Sequence, residues 1–302
     1  MTDSENLIIF AQHGWADTHK PIQILAKAVA PENSKIIVPN LGYAKTWWRI
    51  DPLIDNVEKV AKKTLGEYPS VPVRIIGHSM GGLIWLEVLS RNPDWWPLIE
   101  SLVLVASPVG GAHLARIIDP FEFGLGIAKD LGTNRRDIAR EIVQSIPTLV
   151  IAGDIGGGTD GTVPVEATKV PNAKFIKLKG LSHPVLKKHP TVAKEILHFW
   201  SEPSVEEHFE EVDLTASIIQ SFQSIPGMTD AHYRNFHHGK VLFEFNSGIT
   251  ILTWKNLFNV HHVFVSDSEG KCLYSGFVGW SHTKELHQTL EEIQEEFASE
   301  LV

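Results

Sequence analysis

The sequence predicts an α/β fold: a parallel sheet of about six strands with helices on both faces, followed by a small α+β unit with an antiparallel sheet. Two patterns carry this reading. Continuous Val/Ile/Leu runs recur at roughly 25- to 45-residue spacing with helical stretches between them, as strands of a doubly covered parallel sheet require. Beyond residue 207 the rhythm changes to period-two alternation broken by turn residues such as Asn246-Ser247-Gly248 and Asp267-Ser268-Glu269-Gly270-Lys271.

The first set of strands is predicted at Leu7 to Gln12, Lys35 to Pro39, Val73 to Gly77, Leu102 to Ala106, Thr148 to Gly153 and Phe175 to Leu178. Helices fill the gaps, for example Pro52 to Leu65 and Thr191 to Trp200. Between two strands, Gly111 to Ile146 is about three times the usual loop length. It looks amphipathic at Ala115-Arg116-Ile117-Ile118 and at Ile138-Ala139-Arg140-Glu141-Ile142. The polar, proline-bearing stretch Ser201 to Glu207 marks a boundary, which divides the chain into domains 1–202 and 208–302. The second domain is predicted to hold a helix near Leu214 to Phe222, strands Val241 to Phe245, Gly248 to Trp254, Val260 to Ser266 and Cys272 to Val278, and a closing helix Thr283 to Leu301.

Composition narrows the classes. A chain of 302 residues with 43% hydrophobic content can bury a large core. The net charge of -9 is uneven, because residues 201–302 hold 16 Asp/Glu against 5 Lys/Arg. An acidic second domain speaks against nucleic acid as a partner and leaves any protein partner of that domain undefined. The polar acidic start Met1 to Asn6, the lack of an apolar run of the ~18 residues a span needs, and the single Cys272 lead to the expectation of a cytoplasmic protein without a transmembrane segment. Peripheral contact with lipid is compatible with this.

The most informative motif is Gly77-His78-Ser79-Met80-Gly81, entered from the apolar run Val71 to Ile76 and left through Gly82-Leu83-Ile84-Trp85-Leu86. A buried strand that turns sharply through a serine into a helix, with glycines where side chains would collide, is a nucleophile elbow. Through these residues, and a His and an Asp downstream in the right order, residues 5–200 resemble the α/β-hydrolase superfamily, in its lipase and serine esterase branch. The resemblance implies a sheet that lacks the first two strands of larger members. It also implies that the insertion at about 111–146 caps the active site, the alternative being that it is merely extra surface helix.

A serine hydroxyl needs an imidazole to take its proton and a carboxylate to orient that imidazole. His183 in Gly180-Leu181-Ser182-His183-Pro184, after the last parallel strand, stands where this fold presents its base; His189 fits a solvated role, and His78 and His113 fit packing or support of the site from behind. Two acids compete. Asp160, in Thr159-Asp160-Gly161-Thr162-Val163-Pro164, resembles the acid turn of many members and is favoured, whereas Asp154 is the alternative and could instead brace the loop. Gly156 to Gly158 has no P-loop Lys-Ser/Thr after it and reads as a spacer. For the oxyanion, the backbone of Met80 supplies one N–H, and Gln12-His13-Gly14-Trp15 resembles the superfamily's oxyanion turn, which points to the backbone of Trp15.

Val105-Ala106-Ser107-Pro108-Val109-Gly110-Gly111-Ala112 is a partial match to the phrase that follows this strand in lipases and related esterases, with Ala112 where a serine is common. Trp47 and Trp48 are expected on the rim of the site, where they could grip an acyl chain or simply be buried; Trp95 and Trp96 fall at the opposite end of a strand. His237-His238 and His261-His262 cannot each chelate one ion from a regular strand, so neither a metal nor a cofactor is expected. These residues lead to a serine hydrolase that cleaves lipid-like or medium-chain carboxylic esters through an acyl-enzyme. A thioesterase or acyltransferase would use the same triad, and an idle scaffold with a partner-binding second domain is the rival of another class. Because the first domain holds every proposed catalytic part, it is further expected to work alone.

Overall fold

The computed structural model describes residues 7–111, 127, 130, 133–202, 214–231 and 233–302. Its first sheet has the order β2-β1-β3-β4-β5-β6, all parallel, from strands Leu7–Gln12, Ser34–Ile37, Val73–His78, Ile99–Val105, Thr148–Asp154 and Lys174–Lys179. The helices are α1 (His19–Val29), α2 (Asp51–Glu67), α3 (Met80–Arg91), α4 (Arg136–Val143), the short α5 (Val165–Thr168) and α6 (His183–Leu186), and α7 (Pro190–Ser201).

Successive side chains of β1 point to opposite faces, and they divide the interior accordingly. Ile8 and Phe10 join a core with α2, α3 and α4, while Leu7, Ile9 and Ala11 join a second core with α1 and α7. The chain runs from β1 outward to β2 and then returns across β1 to β3. That reversal opens a crevice at the carboxyl ends of β1 and β3, the place where open α/β sheets bind ligands.

The first predicted amphipathic stretch of the insertion, with His113, lies outside the described residues. The second is α4, whose Ala139 and Ile142 sit in the core beside α3, so it serves as the crossover helix between β4 and β5.

The second sheet is antiparallel, in the order β7-β11-β10-β9-β8, from Thr229–Asp230, Lys240–Glu244, Thr250–Lys255, His261–Ser266 and Cys272–Val278. Its own core gathers Ile251, Val263, Val265 and Val278 against α8 (Leu214–Ser224) and α9 (Thr283–Glu296). Two details depart from the sequence reading. Helix α9 stops at Glu296 rather than Leu301, because Leu301 bridges to Phe245 and the Val302 N–H bonds to the Glu244 carbonyl, which a continuing helix could not do. Strand β7 was not foreseen; two residues are too short for a periodicity to register.

Candidate active site

Ser79 stands between β3 and α3 with φ 55° and ψ -128°, a left-handed backbone held by a hydrogen bond from its N–H to the Val105 carbonyl (2.9 Å). Such a conformation in a non-glycine residue persists only where its surroundings impose it. The neighbouring glycines explain how. A Cβ at Gly77 would overlap the backbone of Gly82, and one at Gly81 would overlap the Gln12 carbonyl.

In front of Ser79 lies the turn after β1. A Cβ at Gly14 would come within 2.9 Å of the Ser79 Cβ and 3.2 Å of the Met80 nitrogen, so only glycine leaves space over that N–H. Met80 opens α3, and the first N–H groups of a helix have no intrahelical acceptor. The turn is braced from all sides. The Leu41 N–H donates to His13 Nε2 (3.2 Å), Gln12 Nε2 donates to the Pro39 carbonyl (3.3 Å), the Ala16 N–H donates to Thr46 Oγ1 (3.1 Å) and Lys187 Nζ bonds Asp17 Oδ2 (2.7 Å). Burial lowers the His13 imidazole below its ordinary range, in keeping with a neutral ring that accepts at Nε2 and donates from Nδ1 to the Gly14 carbonyl (3.1 Å).

The two candidate acids have different partners. Asp154 ends β5, and its Oδ1 accepts from the N–H groups of Gly156 (2.8 Å) and Gly158 (3.2 Å), so the glycine run wraps around it. Asp160 is buried; its Oδ1 accepts from Thr162 N (2.9 Å) and Val163 N (2.7 Å), and its Oδ2 accepts from His183 Nδ1 (2.7 Å). The His183 N–H also donates to the Asp160 carbonyl (3.0 Å). These bonds lock the acid turn to the first residue of α6.

His78, next to the serine, reaches the same place from below. Its Nε2 donates to the His183 carbonyl (3.1 Å), and the two rings lie 4.8 Å apart. Burial, with His183 and Lys187 nearby, holds the His78 imidazole well below its ordinary range, so it is a neutral donor. The sequence reading of His78, as a residue that packs or supports the site from behind, agrees with this bond, but nothing local announces that its partner lies 105 positions away.

At the rim, Trp15 meets Trp47 edge-on with centroids 4.4 Å apart, and Trp48 is 76% exposed beside a cleft of about 500 Å³ lined by Leu41, Lys45, Leu53 and Lys59. Trp96, at the other end, donates from Nε1 to the Leu89 carbonyl (2.9 Å). His189 caps α7 by accepting from Thr191 N. His238, from the turn before β8, stacks on Trp254 of β9, whose ring lies tilted against His262 of β10, and among the described residues no group of three His, Cys, Asp or Glu gathers to hold a metal. No helix among the described residues is long and apolar enough to cross a membrane.

The first sheet and its helices have the α/β-hydrolase fold. Residues 8–137 match the Hydrolase_4 family, described as serine aminopeptidase S33. Est1E of Butyrivibrio proteoclasticus, solved with ferulic acid bound, is 16% identical with a TM-score of 0.50, over 66% of this chain and 92% of that one. A lipase-esterase related protein from Clostridium acetobutylicum (17%, TM-score 0.48) covers 65% of this chain and 95% of its own. The mature lipase of Bacillus licheniformis (15%, TM-score 0.48) covers 66% and 92%. No curated protein matches the sequence.

Proposed function

We propose that the protein is a serine hydrolase of carboxylic esters, with Ser79 as nucleophile, His183 as base and Asp160 as the orienting acid. The observation that carries this reading is the 2.7 Å bond from His183 Nδ1 to a buried Asp160 carboxylate, beside a strained serine at the switch point of the sheet. In the first step Ser79 Oγ attacks the ester carbonyl carbon while His183 Nε2 takes the hydroxyl proton. The oxyanion forms against the N–H groups of Met80 and Trp15, which are aimed before the charge develops. Collapse breaks the bond to the alcohol, which leaves with the proton from His183 and leaves an acyl ester on Ser79. Water then attacks the acyl-enzyme with His183 again as base, and the acyl bond to Ser79 breaks as His183 returns the proton to Oγ and the acid departs. Asp160 keeps its proton count throughout and holds the imidazole tautomer.

The exposed indoles of Trp47 and Trp48 beside the oxyanion turn favour acyl groups with apolar length, such as lipid-like or medium-chain esters. A fluorophosphonate should label the wild type and leave Ser79→Ala unlabelled; labelling of the variant at another residue would remove the assignment. A panel of p-nitrophenyl esters of increasing acyl length, with acyl-CoA, a phospholipid and aminoacyl p-nitroanilides alongside, defines the class. Preference for acyl-CoA or for the anilides would replace the ester reading by a thioesterase or an aminopeptidase.

A further inference from the structure

We propose that the antiparallel sheet is a working part of this active site, with Asp230 acting through Arg136 as a positioning residue for the loop that carries Asp160. The proposal rests on the assignment of Asp160 as the orienting acid. Arg136, at the start of α4, and Asp230, on β7, form a buried two-pronged ion pair, and Tyr274 Oη of β11 donates to Asp230 Oδ1 (2.8 Å). A charge buried this deeply needs its partner, because removing one member strands the other away from water.

The pair is joined directly to the acid loop. Arg136 Nη2 donates to the Glu166 carbonyl (3.2 Å), and Glu166 lies in α5, two residues after Pro164. Pro164 bridges back to Thr159, the residue before Asp160, and the Val165 N–H bonds to the Gly158 carbonyl (2.8 Å). Gly110 closes the circuit, since its N–H donates to the Ala167 carbonyl (3.0 Å) and its carbonyl accepts from the Asp230 N–H (3.2 Å). A Cβ at Gly110 would overlap both the guanidinium and the carboxylate, so the backbone is pressed against the pair. Further out, the phenol of Tyr233 lies against Gly157 at the loop's tip.

Within residues 7–202 the described hydrogen-bond partner of the Arg136 side chain is the Glu166 carbonyl, and its counter-charge comes from Asp230. A chain ending at Glu202 would therefore leave the guanidinium unpaired at the base of the acid loop. On this proposal the first domain alone would lose turnover, contrary to the expectation that it works alone. A misplacement of about 1 Å in a catalytic group can cost ~10²-fold in rate, so a loop that loses its anchor should lose turnover more than substrate affinity.

The test uses the full chain and three variants: Asp230→Asn, Tyr274→Phe, and Leu290→Ala, which truncates a buried side chain of α9 in the core that Tyr274 shares but removes none of the hydrogen bonds of the pair. The readouts are kcat and KM on p-nitrophenyl butyrate and hydrogen exchange of residues 154–168. Asp230→Asn is expected to lower kcat about 10- to 100-fold with KM within about twofold, and to speed exchange in 154–168 while β1 and β3 stay protected. Tyr274→Phe should move both in the same direction by less, and it decides the matter if Asp230→Asn does not fold. Leu290→Ala should leave kcat within about twofold. Unchanged kcat and exchange in a folded Asp230→Asn, or an equal loss in Leu290→Ala, would overturn the proposal. If the wild type turns over no ester, the function assignment fails, and exchange alone decides whether Asp230 holds the loop.

Discussion

The parallel sheet is covered on both faces by helices, and its proposed catalytic groups gather at the ends of β1, β3, β5 and β6; the antiparallel sheet lies under α8 and α9 on one face and carries a cluster of histidine and aromatic rings on the other. The first sheet places the proposed reacting groups by backbone constraint: a serine at positive φ, glycines that admit no Cβ, and N–H groups at a helix start. The second contributes no proposed reacting group, yet it supplies the carboxylate that neutralises Arg136. A division of the chain by composition therefore does not divide its electrostatics. One acid of the acidic half is spent on a cation of the other.

The sharpest way to break this comparison lies within the acid loop, where the proposal gives two aspartates six positions apart separate duties. Loss of the orienting carboxylate costs ~10⁴ in kcat in the well-studied serine triad, whereas a loop brace acts only through geometry. Asp160→Asn should approach that loss, and Asp154→Asn should stay within about tenfold of wild type. Steady-state kinetics on both folded variants decides; the reverse order would move the acid's role to Asp154, whose bonds to Gly156 and Gly158 would then need another explanation.

Whether the two sheets unfold together is the next question. Leu104, in the core of the parallel sheet, and Leu286, under the antiparallel one, are both fully buried. Truncation of either to Ala should cost about 2–5 kcal/mol through lost burial and the cavity left behind. If the Arg136–Asp230 pair couples the sheets, calorimetry should show one transition that moves in both variants. Two transitions, each sensitive to one variant, would mean that the cores are independent despite the pair.

A smaller effect is expected at His78. His78→Phe keeps the ring's bulk but removes the donor to the His183 carbonyl, so the base loses one support while the Asp160 bond remains. We expect kcat to fall about 3- to 30-fold, the scale of ~1–2 kcal/mol for one hydrogen bond to a working group, with recovery in His78→Gln. Equal kcat in all three proteins would reduce His78 to packing.

How much of this was legible in the sequence follows from the range of each interaction. The six parallel strands, the elbow and the acid turn are written in short contiguous stretches, because burial on both faces and steric closure at Gly77 and Gly81 act on neighbours in the chain. Asp160 could be preferred to Asp154 from its Val163-Pro164 context, and the hydrogen bonds place the imidazole beside Asp160. The rest was illegible for a physical reason. Arg136 and Asp230 are 94 positions apart, Asp17 and Lys187 are 170 apart, and a charged residue destined for burial looks like any solvated one until its partner is known. The apolar 3.6 period near Ile138 was visible, but whether that helix covers the sheet or the site depends on packing that periodicity does not encode.

The last effect concerns pH, and its sign can be worked out. Burial depresses the imidazoles of His78 and His13 in the folded protein, while in the unfolded chain both titrate near the ordinary value of about 6.5. Below that pH the unfolded state binds protons that the native state refuses. Stability is therefore complete above about 6.5 and declines as pH falls toward the lower native values, at up to about 1.4 kcal/mol per pH unit for each group. Glu166 works in the opposite sense, since burial raises its native value and favours the folded state as pH drops toward the ordinary carboxylate range. The wild-type slope mixes both signs, but the difference between wild type and His78→Gln cancels every group except His78. Urea unfolding at pH 7.0, 6.0 and 5.0 should show the variant losing less stability than the wild type across that interval. Parallel slopes would mean that His78 takes up its proton in the native state, and the bond from its Nε2 to His183 would then be made by an imidazolium.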